Sequence, residues 1–257
     1  MKRLSKILLC IGIAVVALIV IALFCVDYFA RGGIEAAATY ALGAETKLGA
    51  ARIGILSGKS RISNLRIANP NGFSTPHFLT MDRGGLDLSI GSLFSDTIEM
   101  PLIELDGIDV YLERTGSGSN YKVILENLEK ALGSSGGTKY AIQQIVVKNI
   151  TAHVNLIPLT GKLTTLTVTI PELRIDDFGS DSKGGVLLSQ VAGTLVKHIL
   201  LAVADQGKGV LPNDFVGDLK GVTQKALKTI EGVGKKAGET INQLKEGVGG
   251  LFDRKKK

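Results

Sequence analysis

The chain has no tryptophan, few aromatic residues of any kind and only two cysteines among its 257 residues. Both cysteines, Cys10 and Cys25, fall in the first apolar run, so nothing beyond them can form a disulfide framework. Stability must therefore come from packing and backbone hydrogen bonds, even in an oxidising compartment. Patterns that carry chemistry are also missing. There is no G-x-S-x-G, H-E-x-x-H or C-x-x-C, and Gly116-Ser117-Gly118 lacks the Lys-Ser/Thr of a phosphate-cradling loop. His77, His153 and His198 stand far apart, in no metal-ligand spacing. Asp176, Asp177 and Asp181 read as a solvated acidic turn, with a hard-cation site as the alternative. These gaps point away from an enzyme and away from a resident cofactor or metal.

Charge of either sign is absent from Ile7 to Val26, after Lys2, Arg3 and Lys6. Twenty helical residues rise about 30 Å, the hydrocarbon thickness of a bilayer. Tyr28 and Phe29 follow, where aromatic side chains suit the far interface. The expectation is a transmembrane anchor over residues 1–30, its N-terminus cytoplasmic and the bulk on the other side. The alternative is a cleaved signal peptide, which calls for a shorter apolar run and a small residue where Tyr28 stands.

The net charge of +6 is concentrated at the C-terminus. Residues 218–257 hold ten Lys/Arg and five Asp/Glu, leaving the middle nearly neutral. A neutral, aromatic-poor middle argues against a nucleic-acid partner. That middle alternates: Leu86, Leu88 and Ile90; Ile98, Met100 and Leu102; Ile108, Val110 and Leu112, each with polar residues between. Period two predicts strands with one apolar face. Arg52–Ser57 and Ser60–Ala68 flank a Gly58-Lys59 turn, Asp106-Gly107 marks a turn or bulge, and two more strands cover Ile142–Leu156 and Lys162–Ile175.

Two helices are predicted among these strands, near 120–132 and 187–204. Asn120 and Ser119 offer an N-cap for the first, and Ser189, Gln190, Gly193, Thr194, Lys197 and His198 form a polar stripe on the second. Residues 211–257 form a tail with an 11-residue repeat. Val222, Val233 and Leu244 recur in step, as do Ala226, Ala237 and Val248, and Ile230, Ile241 and Phe252. That spacing makes one apolar helical face flanked by lysines, suited to a membrane surface or a protein partner. A soluble tail is the alternative, since its many glycines weaken a free helix.

Several segments taken together resemble the AsmA-like family of bacterial envelope proteins. They are Ile62–Phe73 with Asn69-Pro70-Asn71-Gly72, Ser92-Leu93-Phe94, Ile98–Gly107, Val110-Tyr111-Leu112-Glu113 and Ser119-Asn120-Tyr121. The likeness covers residues 1–132. A late-embryogenesis-abundant type 2 domain shares the Asn-Pro-Asn but not the later segments. The resemblance implies an inner-membrane anchor, a periplasmic domain over residues 31–210 and a role in binding or moving envelope lipids.

The expected fold is mainly β with accessory α: a transmembrane helix, a curved antiparallel groove-like sheet and an amphipathic C-terminal helix. Leu86, Leu88, Ile90, Ile98, Met100, Ile108, Val110 and Leu112 are the candidate lipid contacts, with a plain packed core as the competing reading. An anchored scaffold, acting through its tail on a partner or membrane, is the second functional expectation.

Overall fold

The computed structural model describes residues 2–55, 57–116, 118–132, 139–156, 164–178 and 185–226. The chain opens with a single helix α1, Lys2–Leu42, which continues well past the end of the apolar run. Strands β1 (Thr46–Arg52), β2 (Lys59–Ala68) and β3 (His77–Asp87) follow, then a short 3-10 helix, Ile90–Phe94. Next come β4 (Thr97–Thr115), β5 (Gly118–Ser119), α2 (Asn120–Leu132), β6 (Lys139–Leu156), β7 (Thr164–Phe178), β8 (Val186–Leu187) and α3 (Leu188–Gln206). A further helix, α4, occupies residues 213–226.

Eight strands form one unclosed sheet: six lie in the order β1-β2-β3-β4-β6-β7, with the two-residue strands β5 and β8 pairing β4 and β6. The sheet is mixed, which corrects the antiparallel expectation: β6 runs parallel to β4 from Thr97↔Lys139 to Arg114↔Leu156. The reason is the α2 crossover, which carries the chain back along β4 and lets the next strand start at the same end. Leu88 and Ile90 are likewise not on a strand, because β3 stops at Asp87 and the 3-10 helix begins at Ile90.

One seam crosses the six long strands. Inward-facing residues flank it at a spacing of three instead of two: Leu48 and Ala51, Ile62 and Leu65, Met81 and Gly84, Leu105 and Ile108, Val147 and Ile150, Ile170 and Leu173. The register sets Asn64, Gly107 and Asn149 in this seam, all with positive φ (53°, 70° and 54°). A left-handed residue reverses the pleat at its own position, so a shared row of them bends the whole sheet. Asp106-Gly107, expected as a turn or bulge, is thus a left-handed kink inside the continuous strand β4.

The inner face of this curved sheet holds the core. Leu112, Val154, Ile150 and Ile108 lie beneath Tyr121, Ile124, Leu125 and Leu128 of α2, Ile199, Leu200 and Val203 of α3, and Phe215 and Leu219 of α4. The polar stripe of α3 is partly buried: Gln190, Thr194 and Lys197 are all shielded, and the Lys197 ammonium donates to the Ala226 carbonyl, 2.6 Å away.

Candidate functional site

The eight strand positions singled out from the sequence do not share one environment. Ile108, Val110 and Leu112 meet in the packed core, and Met100 is buried beside its register partner Ile142. Ile98 is half-buried, Leu86 and Leu88 lie at the core's margin, and Ile90 is 42% exposed. Along β3 and its extension, burial decreases in one direction. Leu79 and Met81 are shielded, Leu86 and Leu88 partly so, and Ile90 is open.

The opposite end of the sheet is closed by a polar clasp. The Glu113 carboxylate, buried, accepts hydrogen bonds from the amides of Ser74 (2.9 Å) and Thr75 (3.2 Å) and from the Thr75 hydroxyl. Asn120 accepts from the Glu113 amide at 2.9 Å and donates to the Tyr111 carbonyl at 2.7 Å and to Asn69 Oδ1 at 3.0 Å. Asn69 in turn donates to Thr75. The Asn-Pro-Asn-Gly loop, the strand-end glutamate and the helix-leading asparagine are therefore one assembly. Its hydrogen bonds are satisfied internally, so it is a structural device.

Polar contacts also hold α4 over the core. Arg114 pairs with Asp214 and stacks on the Phe215 ring, and the Tyr121 hydroxyl donates to Asp218. Asp214 holds the Arg114 guanidinium above its ordinary value, while burial, then the Asp218 bond, pushes the Tyr121 phenol well up. Of the tail stripe, Val222 packs against the core and Ala226 is buried within it. Ile230, Val233, Ala237, Ile241, Leu244, Val248 and Phe252 lie outside the described residues.

Helix α1 runs beside the sheet edge and satisfies amides that edge strand β1 would leave bare. Thr39 Oγ1 accepts from Thr46 N (2.9 Å), Glu35 from Leu48 N (2.7 Å), and Asp27 from Ile53 N (2.7 Å). The Leu48 amide, followed by Arg31, keeps the Glu35 carboxyl below the usual carboxylate value. Further toward the N-terminus Ile7, Ile11, Ile13, Val15 and Val16 are 49–61% exposed on this helix. Among the described residues no helix is long and apolar enough by its hydropathy to cross a membrane.

Reactive groups stay apart. His153 stacks on Tyr111 and hydrogen-bonds Asp109 on the outer face, and His198 bonds the Thr194 carbonyl within α3. His77 lies elsewhere, at the start of β3. Asp176 accepts from Gln144, and Asp181 lies outside the described residues. No group of three His, Cys, Asp or Glu among the described residues could hold a metal ion.

The family model of AsmA matches residues 1–177. The chain belongs to the AsmA family. The match reaches past the first half, through α2 and β6 into β7, so the AsmA region takes in α1 and nearly all of the sheet. Helix α3, which packs on β6 and β7, and α4, which packs on α2, α3 and the end of β4, lie beyond it. No curated protein matches the sequence. The sequence found the AsmA motif residues but not that Asn69, Glu113 and Asn120 meet. Their contact spans β2, β4 and α2, and only a shared polar character at three distant positions hinted at it.

Proposed function

We propose that this AsmA-family protein is a single-pass envelope protein that binds lipid, without catalysing a reaction, against the inner face of its sheet. The cations before the apolar run support a cytoplasmic N-terminus with the sheet in the periplasm. The exposed aliphatic side chains along α1 support the anchor, since a hydrocarbon surround would cover them.

One observation carries the lipid reading. The apolar row of β3 and the connection after it becomes progressively exposed from Met81 through Leu86 and Leu88 to Ile90, leaving apolar surface at the end of the sheet nearest α1's apolar run. Acyl chain laid there gains about 0.8 kcal/mol per buried methylene. The test is photocrosslinking of the full chain, reconstituted in vesicles containing a diazirine-tailed phospholipid. Adducts at Leu86, Leu88 and Ile90 are expected. Adducts confined to residues 7–26 would sink the lipid reading and leave the anchor.

The second reading, an anchored scaffold, draws on the dry packing of Ile108, Val110 and Leu112 under three helices. A domain that stays free of adducts and recovers a partner through its tail would favour it.

A further inference from the structure

Exposed large apolar side chains are few on the described surface, and their placement is uneven. Beyond α1, Ile55, Ile90 and Val210 are the ones exposed. Ile55 and Ile90 come from different connections, β1–β2 and β3–β4, and those connections meet at Gly58. Leu88 N donates to the Gly58 carbonyl at 2.7 Å, and a Cβ placed on Gly58 would be 3.4 Å from Ile90 Cγ1.

The position of this pair along α1 is fixed by hydrogen bonds. Going toward the helix N-terminus, Thr39, Glu35 and Asp27 bind the amides of Thr46, Leu48 and Ile53 in turn, so β1 descends alongside α1. Asp27 is the first residue after the uncharged run. Ile55 lies two residues further along the chain from Ile53. Beside it Arg52, Lys59 and Arg61 are exposed and form no ion pair with a described residue.

We propose that the β1–β2 turn and the 3-10 helix after β3 form a rim that rests on the bilayer in which α1 is anchored, with Ile55 and Ile90 inserted at headgroup depth and Arg52, Lys59 and Arg61 facing anionic headgroups. Apolar side chains ringed by cations are the chemistry of interfacial membrane contact. The inference rests on the anchor reading above, and it adds a second contact that fixes the tilt of the sheet over the membrane.

The natural absence of tryptophan supplies the test. Single-tryptophan variants Ile55→Trp, Ile90→Trp, Val15→Trp and Val210→Trp of the full chain are reconstituted in phosphatidylethanolamine–phosphatidylglycerol vesicles. Part of the lipid is brominated along its acyl chains. Blue-shifted emission and partial quenching, weaker than that of Val15→Trp, are expected for Ile55→Trp and Ile90→Trp, with Val210→Trp unquenched. If both rim variants emit like Val210→Trp while Val15→Trp is quenched, the rim is overturned and the anchor stands. If Val15→Trp also escapes quenching, the anchor reading fails and the rim falls with it.

Discussion

Glu113 accepts several hydrogen bonds in a site that excludes water, so removing it strands their donors. Glu113→Ala is expected to cost about 2–4 kcal/mol in urea unfolding. Asn120→Ala should cost a similar amount, and the double variant less than the sum, because the two residues share one network. Full additivity would show that the clasp is not a unit. Tyr121 makes a pH-dependent contribution. Its folded pKa is raised above the ordinary value of 10.0, chiefly by burial, so the folded state holds the proton more tightly. That stability is fully present below the unfolded value and declines as pH rises above it. Tyr121→Phe should flatten the alkaline part of the stability profile relative to the parent chain. An unchanged slope would mean that Tyr121 ionises as easily folded as unfolded.

At the scale of elements, the seam and the α1–β1 edge govern how the sheet is held. Gly107→Ala puts a Cβ 2.5 Å from Asp82 Oδ2 at φ 70°, and is expected to destabilise by about 1–3 kcal/mol. Asn149→Gly, at a neighbouring left-handed position, removes the side-chain bond to Asp106 but relieves φ strain, and should be much milder. Equal losses at the two sites would separate the damage from backbone conformation. On the edge, the folded pKa of Glu35 lies below its ordinary 4.5, first because of the Leu48 amide. Its contribution is therefore present above that value and lost as pH falls through the folded one. Amide exchange at Leu48 should accelerate in Glu35→Ala at neutral pH, and the parent chain should approach the variant's protection, after correction for intrinsic exchange, in acid.

For the whole molecule, the region matching the family supplies α1 and nearly all of the sheet, while α3 packs on β6 and β7 and α4 packs on α2, α3 and the end of β4. The contacts Arg114–Asp214 and Tyr121–Asp218 tie α4 down at the far end from α1's apolar run. If lipid reaches the inner face, weakening this cover should let it travel deeper. With Asp214→Ala and Asp218→Ala combined, lipid adducts are expected to extend from Leu86 and Leu88 to Val110 and Leu112. Adducts unchanged in position, in a variant shown by hydrogen exchange to have loosened α4, would mean that the far core is never a lipid path.

The sequence alone determined the apolar run, the strand-rich middle, the start of α2 at Asn120 and the family, because each is written in local periodicity or in adjacent residues. Leu86, Ile108, Val110 and Leu112 were recognisable as apolar strand positions for the same reason. The tertiary structure decided what periodicity cannot carry. A parallel β4–β6 pair depends on where the α2 crossover returns the chain, and no strand encodes its neighbour's direction. The buried side of Lys197 depends on α4 arriving to accept its hydrogen bond at Ala226. The clasp of Asn69, Glu113 and Asn120 joins residues up to 51 positions apart. Whether an apolar strand residue is core or surface, as Leu112 and Ile90 differ, follows from which helix covers it, and that is a property of the assembled chain.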